Sequence, residues 1–229
     1  MKYHLQLGLV IALATLATSS FAQSKFEGFY GQIAVGYESI SPTLTNTPIA
    51  VSGSSTTIPL STSISSTSGA TGNVALGYTA SVTKDFTLAI GAEYYPFNSQ
   101  SGNYSSKAKG GNGTSGTYQN QNVYNIYLAP GMNVGTDGLA YFKVGYANNS
   151  FKSSSGSVSQ TQNLNGYSLG LGYKQFFAGN WYGFGEANYF SYNNVTETTN
   201  AKVGSYNLRF SDTVGMNVYN FLVGVGYKF

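Results

Sequence analysis

The sequence holds no cysteine, and its single histidine, His4, lies close to its start. Without cysteine there are no disulfides, no thiolate metal sites, no cysteine nucleophile and no acylated cysteine of the kind that anchors a bacterial lipoprotein. Charge is equally scarce. Asp, Glu, Lys and Arg make up 8% of the chain, about a third of the share usual in soluble domains. The formal net charge of +3 gives no footing for a nucleic-acid partner. Proline is rare, at 5 residues. What the chain does have is aromatic side chains, 20 Tyr and 14 Phe, together with 29 Gly. Disordered chains are poor in aromatics, so disorder does not fit either.

Lys2 and His4 precede an apolar stretch over residues 5–17, which ends in small residues and Ser20-Phe21-Ala22. That is the layout of a secretory signal peptide with a small-x-small cleavage site. The apolar run is shorter than the roughly 17 to 25 residues a membrane helix needs, so a transmembrane anchor is the weaker reading. The expected organisation is a cleaved signal over residues 1–22, cut before Gln23, and a single domain over residues 23–229. Cleavage removes His4. The mature chain then has neither His nor Cys, which excludes Ser-His and Cys-His mechanisms and removes the commonest ligands of zinc, copper and haem. No catalytic residue, metal or cofactor is expected. The remaining acids, Glu27, Glu38, Asp85, Glu93, Asp137, Glu186, Glu197 and Asp212, are scattered.

No mature segment is apolar over a helix-spanning length, so a membrane protein of this composition has to be a closed barrel. Eight segments alternate large apolar with small or polar side chains, the period of a strand. In the first, Phe29, Ile33, Val35 and Tyr37 share a face opposite Tyr30, Gln32, Ala34, Gly36 and Glu38. The second sets Val74, Leu76 and Tyr78 against Asn73, Ala75 and Gly77, and the third sets Leu88, Ile90 and Tyr94 against Ala89, Gly91 and Glu93. The fourth sets Tyr124, Ile126, Leu128 and Met132 against Asn125, Tyr127 and Gly131. Pro130 lies inside it and costs a ladder hydrogen bond, which calls for a bulge or a local break.

The fifth alternates Phe142, Val144 and Tyr146 with Tyr141, Lys143 and Gly145, and the sixth Tyr167, Leu169, Leu171 and Tyr173 with Ser168, Gly170, Gly172 and Lys174. The seventh, over residues 181–192, is ambiguous, because Tyr182 and Phe184 share a face with Glu186 and Asn188 while Gly183, Gly185 and Ala187 take the other. The eighth sets Phe221, Val223, Val225, Tyr227 and Phe229 against Leu222, Gly224, Gly226 and Lys228.

These faces suit a barrel whose apolar side meets lipid. The inner face then carries three acids, Glu38, Glu93 and Glu186, and three lysines, Lys143, Lys174 and Lys228. Such charges can pair and fill the narrow lumen of an eight-stranded barrel. Tyrosines near strand ends suit the aromatic girdles of the two membrane interfaces. The connections alternate strictly between short, at residues 83–85, 135–138 and 178–180, and long, at residues 39–69, 98–118, 148–165 and about 193–213. Short turns facing the periplasm and long loops facing outward produce this pattern. The long loops are rich in Ser, Thr, Asn and Gly and carry Lys107, Lys109 and Lys152, which reads as solvated, mobile surface with contact to surface ligands as the alternative. Residues 49–60 keep some alternation and suit a hairpin extending the wall, and residues 203–210 suit a prolongation of the last strand.

The C-terminal stretch FLVGVGYKF, with Phe221, Val223, Val225, Tyr227 and terminal Phe229, resembles the signal read by the barrel assembly machinery of Gram-negative outer membranes. FTLAIGAEYYPF, VYNIYLAPGMNVG and WYGFGEANYF are similar to segments of the small opacity-like and outer-membrane protein A-like barrels. The resemblance implies an all-β, eight-stranded antiparallel up-and-down transmembrane barrel in the outer membrane. Its implied partners are outer-membrane lipid and lipopolysaccharide, the assembly machinery through Phe229, and host or other surface ligands through the loops. The enzymes among barrels of this size use histidine, which the mature chain lacks. No peptidoglycan-binding domain of the kind some relatives carry follows Phe229, so tethering to the cell wall is not expected.

Two further patterns are weak. The pairs Gly170/Gly172 and Gly224/Gly226 precede no helix and read as small lumen residues rather than a phosphate loop. Glu93 and Glu186 read as interior ion-pair partners rather than a catalytic carboxylate pair. The sequence therefore points to a non-enzymatic outer-membrane barrel with a structural or adhesin-like surface role. A small diffusion pore is the alternative, and a soluble lipocalin-like binder, with the apolar face inward, is a third.

Overall fold

Side chains on a strand point alternately to its two faces, so the period-two pattern commits each segment to one wall with an inner and an outer face. The computed structural model describes residues 24–229, and the segment read as a signal peptide lies outside them. It contains β1 (Gly28–Asn46), β2 (Ile49–Val51), β3 (Thr57–Ile58), β4 (Leu60–Ile64), β5 (Thr67–Ser81) and β6 (Phe86–Tyr95). These are followed by β7 (Gly102–Ala108), β8 (Gly113–Val134), β9 (Gly138–Ser155), β10 (Val158–Ala178), β11 (Trp181–Val203) and β12 (Tyr206–Lys228). Eight of these strands, β1, β5, β6, β8, β9, β10, β11 and β12, pair antiparallel in chain order. The ring closes where β1 pairs with β12, from Tyr30 opposite Lys228 to Asn46 opposite Asp212.

The outer face is apolar. Val35 is 65% exposed and Leu76 68% exposed, while their strand neighbours Ala34 and Ala75 are buried. This overturns the lipocalin-like reading, which needs the apolar side within. The band ends in aromatics at both rims. One rim carries Phe29 against Tyr78 and Trp181 against Tyr227, with ring centroids 4.9 and 5.1 Å apart. On the other, Tyr94 stands opposite Tyr124, Tyr146 opposite Tyr167, and Tyr189 opposite Tyr219.

Two irregularities in the pattern have local causes. Pro130 stays on the lipid face and is paired with Leu88 of β6. Toward β9 the ladder lapses between the Leu128–Val144 and Gly131–Tyr141 pairs without a change of register. The missing N–H thus breaks the ladder locally and introduces no bulge. In β11, Tyr182, Phe184, Glu186, Asn188, Phe190 and Tyr192 are all buried. Its inner face is the bulky one, and Gly183 and Gly185 face outward.

Beyond the membrane band the wall continues, which corrects the reading of the long connections as mobile loops. β9 and β10 pair up to Ser155 opposite Val158, and β11 and β12 up to Val203 opposite Tyr206. Thr and Ser in these segments alternate and are compatible with strands, and they read as loop only because neither face is strongly apolar. Gly156 and Gly204, with φ of 57° and 60°, sit first in two-residue hairpin tips, where only glycine takes that conformation at no steric cost. β2 and β3 form the hairpin expected over residues 49–60, with β2 attached to β12 at Leu208 and Arg209. β4 pairs with β7, and β7 with β8. The prolongation of the last strand begins at Tyr206, and Val203 ends β11. Bulges at Gln121/Tyr124 of β8 and Tyr192/Val195 of β11 mark where this extension leaves the barrel.

The lumen is filled by pairing aromatics with glycines. Tyr30 stands opposite Gly77, Tyr127 opposite Gly91, Tyr141 opposite Gly172 and Tyr182 opposite Gly226. At each of these glycines a Cβ would overlap the tyrosine ring. Overpacking of this kind costs about 1–3 kcal/mol. Gly172→Ala should therefore lower stability by about that much, whereas Gly185→Ala, with open space around its Cβ position, should not. Urea unfolding of the vesicle-inserted protein, followed by the fluorescence of Trp181, checks both.

Candidate functional site: a packed lumen beneath an external cup

The periplasmic mouth is closed from below by the segment leading into β1. Phe26 is 5% exposed, with its ring 4.5 Å from that of Phe176 and 6.3 Å from that of Tyr182. Three polar contacts hold it there. The Ser24 N–H donates to Ser81 Oγ at 2.9 Å, Ser24 Oγ donates to Asn133 Oδ1 at 2.8 Å, and Lys25 Nζ lies 2.6 Å from Asp137 Oδ1. The hydrogen bond from Lys25, and then that from the Thr136 hydroxyl, hold the Asp137 carboxyl below its ordinary range.

Above this plug Lys174 of β10 is buried among three rings. Its Nζ lies 4.2 Å from the Tyr30 ring centroid, 5.1 Å from Tyr182 and 5.2 Å from Tyr141. Among the described residues it makes no ion pair, and the ring faces supply the negative potential that a desolvated ammonium needs. Tyr182 donates onward to Gln32 Oε1 at 3.2 Å, and the Tyr30 and Tyr127 hydroxyls meet at 2.9 Å.

The next layer brings one lysine between two carboxylates from three strands. Lys143 Nζ of β9 donates to both oxygens of Glu93 on β6 at 3.1 Å and to Glu186 Oε1 on β11 at 2.6 Å. Each oxygen of Glu93 receives a second donor, from Asn73 at 3.0 Å and Asn125 at 2.8 Å. Glu186 accepts from the Tyr141 hydroxyl and from Asn188, both at 2.7 Å. Lys143 is 1% exposed. Two acids and the two lysines, Lys143 and Lys174, balance in formal charge, and a buried ionic group is tolerated when its geometry and its remaining hydrogen bonds are satisfied in this way.

Toward the outside, Asn188 donates to Asn220 Oδ1 at 2.9 Å and Asn220 to the Tyr95 hydroxyl at 3.3 Å. Glu38, half-buried, lines a cavity of about 20 Å³ with Thr71, Asn120 and Tyr192, room for about one water. An apolar floor closes the top. Ile40 and Leu164 are fully enclosed, and Tyr118 stacks on Phe151 at 5.4 Å. On this floor stands a cup of about 380 Å³ walled by the strand extensions, with Leu44, Ile64, Phe210 and Val214 beside Glu197 and Asp212.

The outer membrane protein beta-barrel domain matches residues 8–229. The chain belongs to that family. The Gram-negative outer membrane is accordingly its location. Among solved structures, the outer membrane protein OprG from Pseudomonas aeruginosa superposes with a TM-score of 0.60 at 13% identity, over 90% of this chain and 98% of OprG. Neisserial surface protein A gives a TM-score of 0.44 at 16% identity, over 89% and 98% of the two chains. The attachment invasion locus protein Ail of Yersinia pestis gives 0.42 at 15%, over 89% and 99%. These likenesses are of fold. No curated protein matches the sequence.

Within this family barrel the six inward charges singled out in the sequence separate into levels. Glu93, Glu186 and Lys143 meet directly, Lys174 lies one layer below on its tyrosines, and Glu38 stands apart near the outer end. Lys228 is half-buried at the periplasmic rim, opposite Tyr30, and its N–H donates to the Asn180 carbonyl. Phe221, Val223 and Val225 lie exposed on the lipid face of β12, and Phe229 follows at the rim. Sequence reading passed over the tyrosines and asparagines that complete the network. The one signal for them was glycine recurring on the inner faces, since each such glycine leaves room for a ring from the next strand.

Removing Lys143 leaves two buried carboxylates uncompensated, a loss of about 3–5 kcal/mol for a broken buried pair. Lys143→Met should show a destabilisation of that order in urea unfolding. Adding Glu93→Gln and Glu186→Gln to it should recover most of the loss.

Proposed function

We propose that this outer-membrane protein is a non-enzymatic, non-conducting barrel that holds a rigid β-built extension outside the cell for contact with surface ligands. The observation that carries the reading is the stack of closed layers in the lumen, from Phe26 through Lys143 to Tyr118 and Phe151. An enzyme needs reactive groups within reach of substrate. Glu93 and Glu186 instead spend their oxygens on Lys143 and its neighbours. A diffusion pore needs a water path past the same lysine. Lipid is the partner of the apolar band, and assembly proceeds through the exposed alternate residues of β12 that end in Phe229.

Planar-bilayer recording of the refolded, inserted protein tests the closed lumen, and the expected record is silent. Reproducible conductance steps that change size with Glu93→Gln would place a water path through the charge layer and replace this reading with a pore. For assembly, deletion of Phe229 should leave protease-sensitive protein in the periplasm, and normal outer-membrane levels of the truncated chain would remove that role.

A further inference from the structure

The external cup sorts its charges by sign. In the extension of β11 and β12, Glu197 and Asp212 stand directly opposite each other on the inner face, and both line the cavity. Like charges paired across strands oppose the pairing. The cations of the same extension, Lys107, Lys109, Lys152, Lys202 and Arg209, are absent from the lining, and Lys107, Lys152 and Arg209 each stand next to a lining residue on their own strand. Among the described residues neither Glu197 nor Asp212 makes an ion pair. Burial, with Glu197 adding to it, pushes the Asp212 carboxyl above its ordinary range, against a hydrogen bond from Asn46 Nδ2.

Two further oxygens of this wall belong to amides. Asn46 and Gln162 line the cup, and among the described residues Asn46 Oδ1 and Gln162 Oε1, both buried behind its surface, accept no hydrogen bond. Two carboxylates with no cation beside them among the described residues thus line one cavity, and a concave wall of one sign focuses its potential on whatever enters. Apolar side chains, Leu44, Ile49, Leu60, Ile64, Phe210 and Val214 among them, share the lining with neutral Ser, Thr, Asn and Gln side chains, and apolar surface with polar groups that fix orientation is the usual make-up of a small-molecule site.

We propose that the cup is a binding site for a small amphipathic cation, an amine on an apolar body, whose ammonium lies between Glu197 and Asp212 and whose body rests on the apolar wall. The proposal deepens the surface-contact reading and rests on it. The positive outer face of the extension and the negative inner face make the site selective by sign, since an anion meets unpaired carboxylates inside. The cavity volume restricts the occupant to a small molecule or a single side chain of a larger one.

The test is titration calorimetry on the barrel in phosphatidylcholine nanodiscs, with 4-phenylbutylamine and its neutral counterpart 4-phenylbutan-1-ol as probes. Charge-assisted hydrogen bonds of about 1.5–3 kcal/mol correspond to a preference for the amine of about tenfold or more. Glu197→Gln with Asp212→Asn relieves a repulsion, so the fold is retained, and the preference should vanish. Lys202→Gln on the outer face should leave it unchanged. Equal binding of amine and alcohol, a preference that survives the double substitution, or no binding of either probe would overturn the proposal. A silent bilayer record from the same preparation would then leave the surface-contact reading standing, whereas conductance steps would remove the reading beneath it.

Discussion

A sheet with hydrocarbon on one side cannot leave an edge strand unpaired, because no water is there to satisfy its N–H and C=O groups. The ladder between β1 and β12 meets that demand, and the rest of the structure follows from it. Closing eight strands fixes a lumen wide enough only for side chains. Whatever points inward must then be satisfied by other inward side chains. The chain solves this with rings laid over glycines and with a lysine held between two glutamates. The same closure explains the low charge content, since the outer face excludes charge and the inner face tolerates only as much as it can pair.

The outer extension obeys a different solvent. Freed from lipid, the wall no longer needs an apolar outer face, and Ser, Thr, Asn and Lys take it over while hydrogen-bonded pairing continues to the hairpin tips. This leaves a cup whose lining mixes apolar and neutral polar side chains with the acids Glu197 and Asp212 and, among the described residues, holds no lysine or arginine. On the proposed reading the membrane barrel beneath is a closed base, and the cup and its rim are what the environment meets.

Much of the barrel was legible because period-two alternation is strong where one face meets lipid. Phe29 to Tyr37, Phe86 to Tyr95 and Phe142 to Tyr146 declare their faces without help from the rest of the chain. β11 did not, since bulky Tyr182 and Phe184 point inward and small Gly183 and Gly185 outward. The size of an inward residue is set by its partner across the ladder, and Gly226 opposite Tyr182 is visible only once register is known. The extension was illegible for another reason. Wet on both faces, it carries too weak an alternation to distinguish strand from loop. Glu197 and Asp212 become neighbours only through the β11–β12 register. For the inward charges, alternation reveals the side of the wall but not the level, so that Lys143 between its glutamates and Lys228 at the rim looked alike.

Because the protein has no cysteine, a single introduced thiol reports directly on whether water reaches the charge layer. Ser168, fully buried and donating to Asn125 Oδ1 at 2.9 Å, lies inside the seal, and Ser153 lines the cup. On intact cells a water-soluble maleimide should label Ser153→Cys and leave Ser168→Cys unmodified until the barrel is unfolded. Labelling of Ser168→Cys in the folded barrel at a rate comparable to Ser153→Cys would contradict a sealed lumen, and with it the role of the barrel as a closed base for the cup.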